Sequence, residues 1–104
     1  MDGMKINIGG KERTLRYDLN AFADIEQATG WSLQQINGRL QVNPGLAIVR
    51  AVIWAGLLHE NPRMTLREVG SWMNNDVINS VWPQALQSVV FSISGDDTKH
   101  PLPA

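Results

Sequence analysis

The feature that most constrains this sequence is an apolar stretch over residues 46–58, which a single charged residue, Arg50, interrupts. A stretch of this length makes between three and four turns of an α-helix, and its apolar side chains point to all sides of the helix. Such a helix is typical of the centre of a domain, and it falls short of the roughly 20 residues that span a bilayer. The sequence therefore predicts a central, buried helix at about 45–60, bounded by the turn at Pro44 and by Pro62.

Gly56 lies inside this predicted helix, where a glycine costs about 1 kcal/mol relative to alanine. Two explanations are open at this stage. Either a second helix approaches closely at this position, or the glycine has no packing role.

Size and composition favour one packed domain. The chain has 104 residues, 43% of them apolar, with four tryptophans and no cysteine. This is enough apolar material for one core, and the missing cysteines exclude disulfides, thiolate metal sites and thiol nucleophiles. The N-terminal sequence lacks the basic-then-apolar order of a signal peptide, so we expect a soluble protein of the cytoplasm without membrane partners. A formal charge of -1 argues against a protein that neutralises many phosphates, which makes nucleic acid an unfavoured partner.

The N-terminal segment predicts a β-hairpin at about 4–17. Apolar and polar residues alternate from Met4 to Ile8, which is the period of a half-buried strand. The Gly9-Gly10 pair suits a tight turn, and a second strand-like segment follows. Because an isolated hairpin is only marginally stable in water, its apolar face must pack on the helices that follow.

Two helices are predicted between the hairpin and the central helix. The first covers about 20–29, with Asp18 or Asn20 as its N-cap and Gly30 as its C-terminal stop. Ser32 can cap a short second helix. The apolar side of this second helix is formed by Leu33, Ile36 and Leu40.

Two further helices follow the central one. Thr65 and Glu68 have the spacing of a capping box, which predicts a fourth helix from Leu66 to about Met73. A fifth helix follows, and we expect Pro83 to kink it. Its apolar residues at helical spacing are Ile78, Trp82, Leu86, Val89 and Ile93.

The predicted fold class is therefore α+β, mainly α, with the hairpin packed on about five helices. Residues 1–94 form a single globular domain. Residues 95–104 contain two prolines, a glycine and adjacent acids without an apolar period, so we expect a disordered tail.

No arrangement of residues predicts catalysis. His59-Glu60 has the start of a zinc-protease motif, but the second histidine is replaced by Arg63, and His100 lies in the predicted tail. The glycines after the first strand lack the rest of a phosphate-binding loop, and no serine has a nucleophile-elbow context. We predict no catalytic, metal or cofactor-binding residues, no cofactor, and a protein that is not an enzyme.

A helix-turn-helix DNA-binding protein is the alternative hypothesis. Residues 65–70, the turn at 74–76 and the helix from Val77 have the order of that motif. A recognition helix must present basic or amide groups to DNA, yet no Lys or Arg lies between Arg67 and Lys99, and Asp76 would face the phosphates. The sequence therefore disfavours this alternative.

Three segments, in this order and spacing, resemble the tail assembly chaperone and gene-transfer-agent tail protein family of long-tailed bacteriophages. They are LRYDLNAFADIEQATG at 15–30, RAVIWAGL at 50–57 and MTLREVG at 64–70. The resemblance covers most of residues 12–93. It implies a non-enzymatic protein of the bacterial cytoplasm that binds the tape-measure protein, the tail-tube protein, or both, during tail assembly. Whether the source is a phage, a prophage or a gene transfer agent stays open, as do a homo-oligomer and a longer frameshifted product.

The partner-binding residues predicted for such a role are Trp72, Met73 and Trp82. They are more large apolar side chains than two short helices usually need internally, and a groove for a partner helix could use them, although ordinary core packing is favoured for any one of them. For Arg50 in the central helix, we expect an ion pair with Asp24 or Glu26 of the first helix rather than extension to solvent.

Overall fold

The computed structural model of the protein describes residues 3–40, 42 and 44–94, so the predicted tail at 95–104 lies outside the described residues. The architecture is α+β and mainly α, as predicted: an N-terminal hairpin packs on five helices. The elements in chain order are β1 (Met4–Ile8), β2 (Lys11–Leu15), α1 (Leu19–Thr29), α2 (Leu33–Leu40), α3 (Gly45–Leu57), α4 (Leu66–Trp72) and α5 (Asn75–Ser94).

The hairpin forms because its turn residues accept backbone angles that other residues avoid. Gly9 and Gly10 have φ of 66° and 83°, and positive φ at both central positions suits a two-residue hairpin loop. The strands pair antiparallel, with Ile8 opposite Lys11 next to the turn. The apolar face of the hairpin enters the core, as predicted, through the buried side chains of Ile6, Ile8 and Leu15.

The central helix α3 contacts the hairpin more closely than any side chain at Gly56 would allow. A Cβ atom at Gly56 would lie 2.7 Å from the ring of Tyr17 and 2.9 Å from a methyl carbon of Leu15. The Tyr17 hydroxyl donates a hydrogen bond to the Val52 carbonyl at 2.7 Å, and the Arg16 amide donates to the Gly56 carbonyl at 2.9 Å. Gly56 therefore has a packing role, and the element that approaches it is the hairpin rather than a second helix.

The predicted end of α3 was too late. The helix ends at Leu57 rather than near residue 60, and the amides of Glu60 and Asn61 both donate to the Leu57 carbonyl in the turn that follows. This turn brings two side chains to the backbone of β2. The Thr14 amide donates to Glu60 Oε2 at 2.7 Å, and His59 Nε2 lies 2.6 Å from the Thr14 carbonyl oxygen.

Side-chain caps fix the other helix starts. Asp18 rather than Asn20 caps α1, because its carboxylate accepts from the Ala21 amide at 2.9 Å. Ser32 Oγ accepts from the Gln35 amide at 3.2 Å, and Thr65 Oγ1 accepts from the Glu68 amide at 3.0 Å. The positions of these helices thus follow from local hydrogen bonds that the sequence predicts.

The helix α5 continues through Pro83 and packs along β1 and α3. Within the described residues, no single helix is long and apolar enough to span a membrane; α2 and α3 reach that length and composition only together, as a pair bent by 115°.

Candidate partner-binding groove

The search for a site begins with polar chemistry in the described residues. Among them, no group of three or more His, Asp or Glu side chains could hold a metal ion, and no polar or charged side chain is fully buried in the core. His59 is exposed and contacts the backbone of β2 rather than a carboxylate.

Trp72, one of the three predicted partner-binding residues, supports the hairpin turn. It is half-buried against the core, and a Cβ at Gly9 would lie 2.7 Å from its ring. The Arg13 guanidinium carbon lies 4.4 Å from the ring centroid, which is within the range of a cation–π interaction. The remaining surface of Trp72 lines a depression of about 430 Å³ beside the turn, together with Asn7 and Val77.

Met73 and Trp82 lie elsewhere, on the far side of α5 from the hairpin turn. Met73 lines a depression of about 330 Å³ with Leu46, Arg50 and Ile78. Trp82 lines a wider one of about 590 Å³. The structure therefore brings Met73 and Trp82 to neighbouring depressions and places Trp72 in a different one.

The two depressions have no lining residue in common, but both lie beside α5. On one side is a stripe of α5 with a spacing of four residues; on the other are described residues at the end of α2 and around the start of α3. We call the two depressions together the α5 groove. Its residues are Ile78, Trp82, Leu86 and Val90 on α5, Leu40, Val42, Pro44 and Leu46 on the other side, and Met73 and Arg50 at one end.

The groove exists because α5 carries two apolar stripes instead of one. Val81, Ala85 and Val89 are buried and face the core. The second stripe, which starts at Ile78 and ends at Val90, is only partly buried. At 1.5 Å per residue this stripe extends about 18 Å, or about three helical turns.

The facing wall supplies apolar side chains that are largely in water. Val42 is 82% exposed and Leu46 is 68% exposed, which is unusual for two large apolar residues in one short segment. Sequence reasoning missed this wall. Leu46 was assigned to the buried central helix, and Val42 was assigned to no helix or strand.

The predicted ion pair of Arg50 with Asp24 or Glu26 is wrong. The Glu26 carboxylate accepts from the Leu33 amide at 2.6 Å, and Asp24 lies in a separate depression beside Arg16. Arg50 instead turns toward α4, where a Cβ at Gly70 would lie 3.1 Å from its Cδ atom.

The Arg50 side chain therefore ends at the α5 groove without a carboxylate from the described residues. Its Nε atom is buried and has no hydrogen-bond partner there. A buried donor without a partner costs about 1–3 kcal/mol, so Arg50 lowers the folding stability at this point.

The helix that would read DNA in the alternative hypothesis is α5. It contains no Lys or Arg, and Asp76 lies in its first turn. Its apolar stripes are occupied by the core on one side and form the groove on the other. Its surface thus offers amides and hydroxyls, but no cation to phosphates.

Comparison with protein-family models, with curated proteins and with solved structures finds no match for this chain.

Proposed function

We propose that the protein is a non-enzymatic assembly chaperone that binds an apolar helical segment of a partner protein in the α5 groove. The observation that carries this proposal is a pair of exposed apolar side chains beside α5: Val42 lines the depression of the half-buried Trp82, and Leu46 lines the depression of Met73. A finished monomer gains nothing by keeping such side chains in water, whereas a chaperone must offer apolar area to its client.

The dimensions of the groove suit a helix better than an extended chain. Two apolar walls run along about three helical turns, and a client helix would insert side chains at positions i, i+4 and i+7 between them. Trp82 would be the central anchor and Met73 the adaptable contact at one end, because thioether side chains adjust to different neighbours.

Arg50 adds a polar requirement to this apolar site. A client helix with an acidic residue near one end would place a carboxylate beside Arg50, which lines the groove. Charge-assisted hydrogen bonds of this kind fix orientation, so Arg50 would set the direction in which the client lies.

The three segments that resemble phage tail assembly chaperones support a particular client. It is the tape-measure protein, whose apolar helices need protection until the tail-tube protein polymerises around them. The proposed place of action is the bacterial cytoplasm, where phage tails assemble.

Co-expression with the tape-measure protein of the same genome tests this proposal. We expect the chaperone to raise the soluble yield of the tape-measure protein and to co-purify with it. The double variant Val42→Ser/Leu46→Ser should lose both effects while keeping the wild-type melting temperature, because exposed apolar residues contribute little to folding stability.

The matched control is Leu19→Ser. Leu19 is 83% exposed, like Val42, but lies at the start of α1 outside the groove. This variant should keep full chaperone activity. Equal losses in the control and in the double variant, or no effect of the protein on tape-measure solubility, would contradict the proposal.

Trp82→Ala tests the anchor. Trp82 is half-buried, so we expect a stability loss below the roughly 3–5 kcal/mol of an emptied aromatic core site. Affinity for a tape-measure fragment should fall by about 2 kcal/mol or more, measured by calorimetry. A full core-sized stability loss with unchanged affinity would remove Trp82 from the binding site.

A further inference from the structure

The outer edges of the two hairpin strands differ in their contacts with the rest of the chain. The outer edge of β2 is occupied at its C-terminal end: Thr14 uses its amide on Glu60 and its carbonyl on His59, and just beyond the strand the Arg16 amide bonds to the Gly56 carbonyl. These contacts come from the C-terminal end of α3 and from the turn after it. No further strand can pair with β2 along this length.

The outer edge of β1 has no such cover. Lys5 pairs with Thr14 and Asn7 with Glu12 across the hairpin. Because antiparallel pairs alternate between bonding inward and outward, and Thr14 bonds outward, Lys5 and Asn7 also direct their amides and carbonyls away from the partner strand. In the part of the chain that the structure describes, these backbone groups have no hydrogen-bond partner.

The helix α5 lies against β1 and runs in the opposite direction. Near the hairpin turn, Val77 lines the depression of about 430 Å³ with Ile8 and Trp72. Near the start of β1, Phe91 lines a depression of about 560 Å³ with Met4. A depression therefore lies at each end of β1. The one near the turn has Ile8, Trp72 and Val77 in its wall, and the one near the start of β1 has Arg16 and Asp18 beside Met4 and Phe91.

Between these ends the helix presents small or uncharged groups on the same side. Helical spacing places Gln84 and Ser88 on the side of Val77 and Phe91. Phe91 is 53% exposed, although it is a large aromatic residue. The resulting strip of α5 is apolar at both ends and polar in the middle.

We propose that an extended segment of a partner protein adds as a third strand to the outer edge of β1, above this strip of α5. The segment carries apolar side chains at positions p and p+4, which enter the two depressions, and a small polar side chain at p+2. Its residues p+1 and p+3 point to the outer face of the sheet, beside Lys5 and Asn7.

The chemistry of the edge selects the outer residues. Lys5 is exposed and is the one charged side chain that β1 contributes to this face. An acid at p+1 or p+3 lies directly opposite Lys5, and opposite charges in cross-strand pairs contribute about 0.2–1 kcal/mol. The main-chain hydrogen bonds supply affinity and the two depressions supply specificity, as in other cases of strand addition.

A synthetic peptide, Thr-Leu-Asp-Ser-Asp-Leu-Thr with blocked termini, is the probe. Its core reads identically in both directions, so the test does not depend on whether the added strand is parallel. We expect this peptide to bind with a Kd below about 1 mM. Binding is monitored through the hydrogen exchange of backbone amides. The reordered peptide Thr-Leu-Asp-Ser-Leu-Asp-Thr has the same composition but sends its leucines to opposite faces, and it should bind at least about tenfold more weakly.

Two proline variants of one cross-strand pair provide the matched control. Asn7→Pro removes an outward amide from the open edge of β1, and Glu12→Pro removes one from β2, at no cost to the bonds between the strands. We expect Asn7→Pro to weaken probe binding at least about tenfold and Glu12→Pro to leave it unchanged. Equal effects, or binding of both peptides with the same affinity, would overturn the proposal.

Two further measurements test the proposal even if Asn7→Pro does not fold. In the wild-type protein, saturating probe should slow hydrogen exchange at the amides of Lys5 and Asn7, and Phe91→Ser should weaken binding severalfold without lowering the melting temperature. Unchanged exchange at both amides, or no binding of the probe to the wild type below about 1 mM, contradicts strand addition. Neither result tests binding in the α5 groove, because the groove contains none of these residues.

Discussion

The hairpin side of α3 and the α5 groove are both apolar, but one is closed and the other open. At Gly56 the helix meets Tyr17 and Leu15 so closely that a single methyl group would not fit. In the α5 groove, by contrast, Trp82 and Leu86 line a depression of about 590 Å³ together with Val42, which is 82% exposed. The comparison indicates that the contact between the hairpin and α3 is closely packed, while the groove leaves apolar surface available for the proposed client.

Gly56→Ala is expected to have the largest effect on the closed side. The new methyl group would meet the buried, hydrogen-bonded ring of Tyr17 at 2.7 Å, and this ring cannot rotate away. Overpacking of this kind costs about 1–3 kcal/mol, which outweighs the gain of about 1 kcal/mol in helix propensity. Urea unfolding followed by circular dichroism measures the difference.

The control for that experiment is Gly38→Ala in α2, where a Cβ meets nothing within 4 Å. This variant should stabilise the protein by about 0.5–1 kcal/mol, because alanine is the better helix former and no contact opposes it. If Gly56→Ala stabilised the protein by a similar amount, the contact between the hairpin and α3 would be far less tightly packed than described.

Alkaline pH should also lower the free energy of unfolding through this contact between the hairpin and α3, by a smaller amount than Gly56→Ala. Burial raises the pKa of the Tyr17 hydroxyl well above its ordinary value, so the folded state keeps this proton while the unfolded state loses it above about pH 10. The contribution of Tyr17 to the free energy of unfolding is therefore fully present below about pH 10, and above that pH it falls by up to about 1.4 kcal/mol per pH unit.

Tyr17→Phe isolates this effect, because the chain contains one tyrosine. At pH 8 the variant should be about 1 kcal/mol less stable than the wild type, since it loses the hydrogen bond to Val52. At pH 11 the gap in free energy of unfolding should close or reverse. A constant gap at both pH values would show that Tyr17 ionises with an ordinary pKa.

Arg50→Met should have the smallest effect, because this residue belongs to the open side. Its buried Nε atom has no partner among the described residues, so removing the guanidinium abolishes an unsatisfied donor while methionine keeps the packing of the stem on Gly70. We expect a change between zero and about 1 kcal/mol toward greater stability, measured by thermal unfolding. A loss of about 3–5 kcal/mol would instead indicate that Arg50 has a buried ionic partner after all.

Local signals in the sequence predicted most of the fold. The alternation before Gly9-Gly10 located the hairpin, and Asp18, Gly30 and Thr65 located the ends of helices, because caps and turns depend on neighbours within four residues. The end of α3 was predicted too late because it depends on bonds to a distant strand. The sequence contains no local feature that reveals the contact of His59 and Glu60 with β2.

The candidate groove was predicted only in part, for a related reason. Large apolar residues on the last two helices pointed to Met73 and Trp82, but Trp72 turned out to support the hairpin turn. The wall at Val42 and Leu46 depends on how α2 and α3 pack beside α5. The direction of the Arg50 side chain depends on the rotation of α3 about its axis. Periodicity cannot predict this rotation for a helix that is apolar nearly all round.

The bonds from Thr14 to residues 59–60 also have a consequence for the order of folding. They join groups that are 46 and 45 residues apart in the chain, so the outer edge of β2 cannot be occupied before α3 has formed and docked. During synthesis the hairpin leaves the ribosome well before those residues, at roughly 5–20 residues per second, and for several seconds both of its strand edges are open. Unpaired edges are sites of intermolecular pairing, so the interval between these two events is when the nascent chain is most prone to aggregate.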